Sequence, residues 1–379
     1  MGLKITIFGL TLSSSWGNGH ATPYRALIRA LAGQGHRVTF FERDVEYYAC
    51  RRDFERCEYC DLVLYRDWQE MRPQGLACAR ESDVAIVASY CPEGARIADE
   101  VLQLAGPLRV YYDLDTPITL QKLAAGDLDY LRAEQIPEFD LYLSFTGGRI
   151  LDELERNLGA RRARPLYGCV DPDCYRRVSD NEFYRGLLSY MGTFAPDRQA
   201  SLEQLFLEPA RLMHDRQFVL AGSLYPSHWQ WPENVRRIEH VAPGDHSAFY
   251  SSSRTTLNIT RRGMARWGYC PSGRFFEAAA CGTAILSDNW EGLESFFRNG
   301  EEILLVGSSD DVVAALHRPD GELSKLAARA RERTLDEHTG ECRAQQLLRY
   351  LEEAAAARHW EQVGIAADRS SSAGQEAGS

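Results

Sequence analysis

Short apolar, β-prone runs alternate with amphipathic helical stretches along almost the whole chain. Lys4 to Gly9 reads as a strand, and Ala21 to Gly33 has helical spacing through Tyr24, Leu27, Ile28 and Leu31. Arg37 to Phe41, Asp83 to Ala88, Leu108 to Tyr112 and Phe139 to Phe145 continue the strand series, with helical segments between them. Strands separated by helices pair in parallel through crossovers, which predicts a doubly wound α/β sheet. The pattern then repeats. Leu187 to Gly192, Gln217 to Ala221, Arg236 to Val241, Thr255 to Ile259, Thr283 to Leu286 and Glu302 to Val306 form a second strand series. Ser201 to His214 and Glu291 to Phe297 read as helices within it, and two long amphipathic helices, Glu322 to Asp336 and Gly340 to Ala357, follow.

A chain of 379 residues with this repeat is expected to form two α/β, Rossmann-like doubly wound domains facing each other across a cleft. The expected divisions are residues 1–170 for the first domain, a polar connector over 171–186, and 187–357 for the second with its terminal helices. The Ser/Gly/Ala-rich stretch 366–379 is expected to be disordered. The net charge of −11 argues against a general nucleic-acid or anionic-membrane binder. It leaves room for a local basic pocket that holds a phosphate. The apolar run Ile5 to Leu12 is too short for a membrane span and a poor signal peptide, so no transmembrane segment and a cytoplasmic location are expected.

The ten cysteines are scattered, unlike the disulfide framework of a small secreted domain. Cys57-Glu58-Tyr59-Cys60 stands apart. With Cys50 and Cys78 it offers four thiolates for zinc, or by itself a redox pair. The irregular spacing and the lack of a second tight pair favour ordinary thiols in a reducing compartment.

In open α/β sheets, ligands bind beyond the carboxyl ends of the strands. Ser13-Ser14-Ser15-Trp16-Gly17-Asn18-Gly19-His20 follows the first strand and opens a helix. Gly17 and Gly19 allow close backbone approach, and free N–H groups at a helix start attract anions. The loop does not have the dinucleotide-binding spacing. Tyr112-Asp113-Leu114-Asp115-Thr116-Pro117 ends another strand. Asp115 there is either a functional carboxylate or the cap of the helix that begins near Pro117. Three basic loops lie at carboxyl ends in the second half: Gly192-Thr193 to Arg198, Asn258 to Gly263 with Arg261, and Pro271-Ser272-Gly273-Arg274.

The last of these opens Gly273-Arg274-Phe275-Phe276-Glu277-Ala278-Ala279-Ala280-Cys281-Gly282, a helix with one acidic residue and a glycine stop. A carboxylate among apolar and small residues is costly to bury unless a ligand or donor meets it. Glu277 is thus either a surface or capping glutamate or a ligand-binding one.

Arg274 to Thr283, with Asp288-Asn289-Trp290-Glu291-Gly292-Leu293-Glu294 and Gly300-Glu301-Glu302-Ile303, resembles the nucleotide-sugar half of GT-B glycosyltransferases of the group-1 (GT4-like) type. The CgeB-like members of that set are the nearest in pattern. The resemblance implies a glycosyltransferase that moves a sugar from a nucleoside-diphosphate sugar to a hydroxyl or amine acceptor, with retention and without a metal or other cofactor. It implies that Glu277 binds the ribose hydroxyls, since a carboxylate can accept two hydrogen bonds from a cis-diol. The family often carries a second glutamate eight residues upstream; here that position is Tyr269.

The resemblance further implies that Arg198, Arg261, Ser272, Gly273 and Arg274, with Gly192 and Thr193, grip the diphosphate. The loop His240 to His246 then holds the base through main-chain groups such as those of Val241. Gly17 and Gly19 line the cleft near the donor phosphate. His20 donates to the donor sugar or accepts a proton, and Asp113 or Asp115 binds the acceptor or acts as a base. The Asp113-Leu114-Asp115 spacing matches the metal motif of GT-A enzymes, but the two-domain pattern sets that assignment aside. Two other functions fit the same architecture: a nucleotide-sugar epimerase, and a non-catalytic nucleotide-sugar-binding protein.

Overall fold

The computed structural model describes residues 2–376, with side chains through residue 359. Among these residues the strands form two parallel sheets. The first contains β1 (Lys4–Gly9), β2 (Arg37–Arg43), β3 (Asp61–Tyr65), β4 (Val84–Ala88), β5 (Leu108–Asp113), β6 (Leu141–Ser144) and β7 (Ala163–Pro165), in the order β3-β2-β1-β4-β5-β6-β7. The second contains β8 (Gly186–Met191), β9 (Phe218–Ala221), β10 (Val235–Ile238), β11 (Ser253–Asn258), β12 (Ala284–Ser287) and β13 (Leu304–Leu305), in the order β10-β9-β8-β11-β12-β13. The expected α/β class with two doubly wound sheets is the observed one.

Strand burial follows from this layering. β4 is buried at every position, because helices cover both faces of a parallel sheet. The helix Ala21–Gly33 turns Tyr24, Leu27, Ile28 and Leu31 onto β1 and β2, in a core shared with Ile5, Ile7, Val38 and Phe40. The second sheet has two cores, one around Phe206, Phe218 and Leu220 and one around Phe249, Phe275, Phe276 and Phe297.

Several elements differ from the sequence-based expectation. β3 and β7 are short edge strands that the apolar pattern passes over. Glu291 to Phe297 is not a helix but a turn with one short 3-10 segment at Leu293–Ser295. Gly268 and Gly292, both at positive φ, bend that region sharply. The helix Gly340–Glu376, expected with the second half, crosses back onto the first. Its Ala344, Leu347, Leu351 and Ala354 join the core built on Ile5 and Leu27. Gly340 makes the crossing possible: a Cβ there would lie 2.4 Å from the Ala26 carbonyl oxygen. Burial of Leu347 and Leu351 stabilises the crossing by roughly 1.5–3 kcal/mol each. The helix continues through most of the stretch expected to be disordered, and residues 377–379 of that stretch lie outside the described residues.

Strand order reverses between β1 and β4 in the first sheet and between β8 and β11 in the second. Loops that leave these neighbours in opposite directions open a crevice. The loops after β1, β4, β8 and β11 therefore define where a ligand is held, and the two crevices face each other. No helix among the described residues is long and apolar enough to cross a membrane.

Candidate functional site

Glu277 stands on the helix Gly273–Ala280, which ends as the sequence suggests. Gly282 has a φ of 69°, and its N–H returns to the Ala279 carbonyl at 2.8 Å. The Glu277 side chain is only 5% exposed, yet it points toward the other half of the molecule. Its Oε1 accepts a hydrogen bond from Thr22 Oγ1 at 3.0 Å, across the cleft. Tyr175, from the connector, lies beside the carboxylate and feels its charge. The Tyr175 hydroxyl meets His246 Nδ1 at 3.0 Å, and His246 Nε2 meets the Val241 carbonyl at 3.1 Å. A chain of contacts therefore links Thr22, Glu277, Tyr175, His246 and the Val241 loop. Burial, with the Glu277 charge beside it, raises the Tyr175 pKa well above the ordinary phenol value, so the hydroxyl stays neutral and can donate.

The basic loops converge one helical turn away. Arg274 donates from Nε to Ser272 Oγ at 3.0 Å and from Nη1 to the Met191 carbonyl. Ser272 is also the cap of the helix, accepting the Arg274 N–H. Arg198 is buried and donates to the Thr193 carbonyl. The two arginines thus clamp the loop Met191 to Thr193 from both sides. At Gly192 a Cβ would lie 2.5 Å from Arg274 Nη1 and from the Tyr190 hydroxyl, so both side-chain ends would have to shift to admit one. Arg261 sits at the end of β11 and pairs with Asp197, next to Arg198, at 3.4 Å. Burial lowers the Arg198 pKa, and the nearby Arg274 and Arg261 charges add to that shift. Its Nε is buried with no partner among the described residues. A guanidinium in this state is stabilised by an anion.

The first half supplies a second cluster. His20 Nε2 lies 3.4 Å from Asp115 Oδ2, with the two side chains 16% and 18% exposed. The Tyr90 hydroxyl, after β4, donates to the same oxygen at 3.0 Å, and its ring lies beside the His20 ring. Burial works to raise the Asp115 pKa. The hydrogen bonds from His20 and Tyr90 and the Arg261 charge outweigh it, and the carboxyl is held below its ordinary value. Arg261 thus links the two clusters across the cleft.

Asp113 takes a different place from the one the sequence suggests. β5 runs one residue further than expected, and this puts the Asp113 side chain inside the layer, fully buried. Its carboxylate accepts from Tyr142 Oη at 2.7 Å, Thr119 Oγ1 at 2.9 Å and the Asp115 N–H at 3.1 Å. Burial raises its pKa to about 6. With these partners Asp113 braces the loop, and Asp115 is the carboxylate at the cleft. Asp115 begins the helix Thr116–Ala125 but makes no side-chain cap bond.

Trp16 of the Gly-rich loop reaches the second half and packs on His240, with ring centroids 4.8 Å apart. Gly17 has a φ of 65°, and a Cβ there would lie 2.5 Å from the Tyr47 hydroxyl, whereas Gly19 is exposed with open space around it. The structure thus gathers Arg198, Arg261, Arg274, Ser272, Gly273, Gly192, Thr193 and Glu277 on one wall and His20 with Asp115 on the other. Val241 is buried, and its carbonyl is taken by His246.

Thr22, Tyr90 and Tyr175 are the residues that sequence reading missed. Tyr90 lies directly after a buried strand, where the carboxyl-end rule would have found it. Of the four cysteines weighed as metal ligands, Cys57 and Cys60 are free and pack half-buried against the first core. Cys50 Sγ faces the Tyr47 carbonyl, and Cys78 Sγ meets Thr6 Oγ1 at 3.2 Å.

Residues 198–349 match the family described as glycosyl transferase-like. No curated protein matches the chain by sequence. Among solved structures, sucrose-phosphate synthase from Thermosynechococcus elongatus superposes with a TM-score of 0.67 at 14% identity, over 94% of this chain and 100% of that one. Anabaena Alr3699/HepE, in complex with UDP and glucose, gives 0.65 at 11% identity over 93% and 100%. An alpha-glucosyltransferase in complex with UDP and a DNA 13-mer containing a HMU base gives 0.69 at 11% identity over 93% and 100%. At these identities the likeness speaks for the fold: the chain has the GT-B architecture, two Rossmann-like sheets facing across a cleft.

Proposed function

We propose that the protein is a glycosyltransferase that moves a sugar from a nucleoside-diphosphate sugar to a hydroxyl or amine acceptor, with retention and without a metal. The observation that carries this reading is the convergence of Arg198, Arg261 and Arg274 beside Glu277, opposite His20 and Asp115. The UDP and UDP-glucose held by the fold neighbours, and the family match over residues 198–349, support a nucleotide-sugar donor.

In this reading Glu277 exchanges its Thr22 partner for the ribose hydroxyls, and the Val241 loop borders the base. The guanidiniums and the N–H groups of Gly192, Thr193 and Gly273 hold the diphosphate, with Ser272 keeping Arg274 aimed at it. As the bond from the anomeric carbon to the diphosphate breaks, negative charge grows on the leaving group. Fixed cations stabilise that state more than the bound donor. His20, oriented by Asp115 and Tyr90, faces the sugar and receives the acceptor's proton. Asp115 takes the role that the sequence pattern assigned first to Asp113. Gly17 and Gly19 keep the backbone near the phosphate free of side chains.

Incubation with a panel of nucleotide sugars tests the proposal. Release of free nucleoside diphosphate, by transfer or slow hydrolysis, is the expected result. An isomerised donor would indicate an epimerase. Binding without turnover under any acceptor would indicate a non-catalytic nucleotide-sugar-binding protein.

A further inference from the structure

The proposed reaction gives Trp16 no task, yet the first half fixes the loop that carries it at many points. Glu42, near the end of β2 and fully buried, accepts from the Leu12 N–H at 2.7 Å and the Ser13 N–H at 2.9 Å. It also accepts from Ser13 Oγ at 2.6 Å and Thr11 Oγ1 at 2.9 Å. Charge-assisted bonds to a buried carboxylate are strong, and four of them set the path of the chain into the loop. From the other side the Asp53 N–H donates to the Ser13 carbonyl at 2.8 Å, the Ser14 hydroxyl to the Arg51 carbonyl at 2.6 Å, and the Ser15 N–H to the Asp53 carboxylate at 2.8 Å. The Asn18 side-chain amide closes the loop on itself, donating to the Ser14 and Trp16 carbonyls at 3.1 and 3.2 Å. The Trp16 indole is therefore presented to the cleft on a rigid mount.

The half-buried indole has two ring contacts, one from each half of the molecule. The Arg51 guanidinium lies over it, 4.1 Å from the ring centre, a cation–π contact that steadies it from the first half. The His240 imidazole meets it from the second half, with centroids 4.8 Å apart and planes inclined at 57°. Aromatic rings favour offset stacking or an edge-to-face approach, and this pair adopts neither, so a flat heterocycle laid parallel to the indole gains a better fit than His240 has. His240 opens the loop to His246, and the Val241 carbonyl there is already bonded to His246 Nε2 at 3.1 Å. Ring faces are then the strongest contact that this rim offers a base. The Thr22 to Glu277 bond belongs to the same rim, because Glu277 and the His240 loop are joined through Tyr175 and His246.

We propose that Trp16 is the first half's share of the nucleobase site: on donor binding the base takes the place of His240 against the indole. This rests on the nucleoside-diphosphate-sugar reading above. The exchange accompanies that of Thr22 for the ribose hydroxyls at Glu277, so the two cross-cleft contacts give way together to one nucleoside. Every base has a π-face, and stacking is therefore tolerant of base identity. Trp16 supplies affinity for the nucleoside end of the donor and touches none of the reacting atoms.

Calorimetric titration of the full chain with UDP, ADP, GDP and inorganic pyrophosphate tests this. Trp16→Ala is expected to lower the affinity for each nucleoside diphosphate that the wild type binds by about 5- to 150-fold, the range for one base on one aromatic side chain. Pyrophosphate, which has no base, is expected to bind the variant as it binds the wild type, and this also shows that the variant is folded. Trp16→Phe keeps a ring and is expected to retain most of the nucleotide affinity. An equal loss for pyrophosphate and the nucleotides would mean that the indole only shapes the phosphate loop. Unchanged nucleotide affinity in Trp16→Ala would mean that the base lies elsewhere. Either result overturns the proposal and leaves the donor reading standing, since the wild type still binds nucleotide. A wild-type chain that binds none of the three nucleotides overturns the donor reading itself, and this site with it.

Discussion

Thr22 Oγ1 and Glu277 Oε1 meet at 3.0 Å across the cleft, joining two residues 255 positions apart in sequence. The bond places the carboxylate assigned to the ribose under direct control of the first sheet's opening helix. In the proposed reading a donor displaces Thr22 from Glu277, which couples donor binding to the contact between the two halves.

Glu277→Ala is expected to weaken donor binding by about 1.5–3 kcal/mol, the range for a hydrogen bond to a charged group. Thr22→Val removes one uncharged donor, frees Oε1, and is expected to change donor affinity by at most about 1 kcal/mol. Thr22→Ser should behave as wild type. Calorimetric titration with the accepted donor measures all three. Unchanged affinity in Glu277→Ala removes that residue from the site.

Arg198→Lys and Arg261→Ala are expected to lower turnover more than they raise the donor KM, because charge on the diphosphate grows as the glycosidic bond breaks. A loss of about a hundredfold in kcat is the scale for one such donor. Lysine at buried Arg198 loses the planar fork that clamps Thr193. Steady-state kinetics decide it: a kcat within a few-fold of wild type in both variants would move the leaving-group role to Arg274.

Activity is expected to persist in excess EDTA, since guanidiniums carry the assignment to the diphosphate. The carboxylate oxygens of Asp113 are taken by Tyr142, Thr119 and the Asp115 backbone, which leaves the Asp113-Leu114-Asp115 pair poorly arranged to share a cation. Loss of activity on chelation, restored by Mn²⁺ or Mg²⁺, would reverse the assignment.

Asp113 also gives a pH signature. Its folded-state pKa is about 6, against an unfolded value of about 3.9. A raised carboxyl pKa means that the folded state holds the proton more tightly over that interval. This contribution to stability is largest below about 4 and is lost as pH rises through 6. Asp113→Asn keeps an acceptor for Thr119 and the Asp115 N–H and offers a donor to the Tyr142 oxygen. It is expected to fold and to flatten the stability profile between pH 4 and 6 when followed by denaturant unfolding. A profile identical to wild type would sink the argument.

The parts of the fold legible in the sequence are those set by local pattern. Buried strands such as Val84–Ala88 are continuous apolar runs, and the loops after them follow from the parallel-sheet rule. The same rule leads to Gly192, Arg198, Arg261 and Arg274. What stayed hidden depends on contacts between distant segments. Tyr175 gains its role because the connector folds beneath Glu277, and Thr22 because the two sheets meet face to face. Asp113 and Asp115 exchange roles through a single residue of strand length. Period-2 alternation cannot fix that length, because this strand is buried on both faces.

Gly148 and Tyr269 offer the sharpest test of how the halves close. The Tyr269 carbonyl accepts the Gly147 N–H at 2.9 Å, and Arg149 donates to the Arg266 carbonyl. The Tyr269 ring lies between two glycines. A Cβ on Gly148, in the first half, would stand 2.4 Å from Cδ2, and one on Gly292, in the second, 2.4 Å from Cδ1. Gly148 has φ 66° and ψ −146°, a backbone region reserved almost wholly for glycine. Gly148→Ala therefore combines backbone strain of about 1–3 kcal/mol with a steric block at the ring. It is expected to raise the donor KM by prying the two halves apart, while each sheet keeps its own packing. Tyr269→Ala removes the block but not the strain, so the double variant should recover part of the lost affinity. A double-mutant cycle on donor affinity measures that recovery as a coupling energy. Strict additivity, or a Gly148→Ala variant with wild-type KM, would show that this contact does not govern closure.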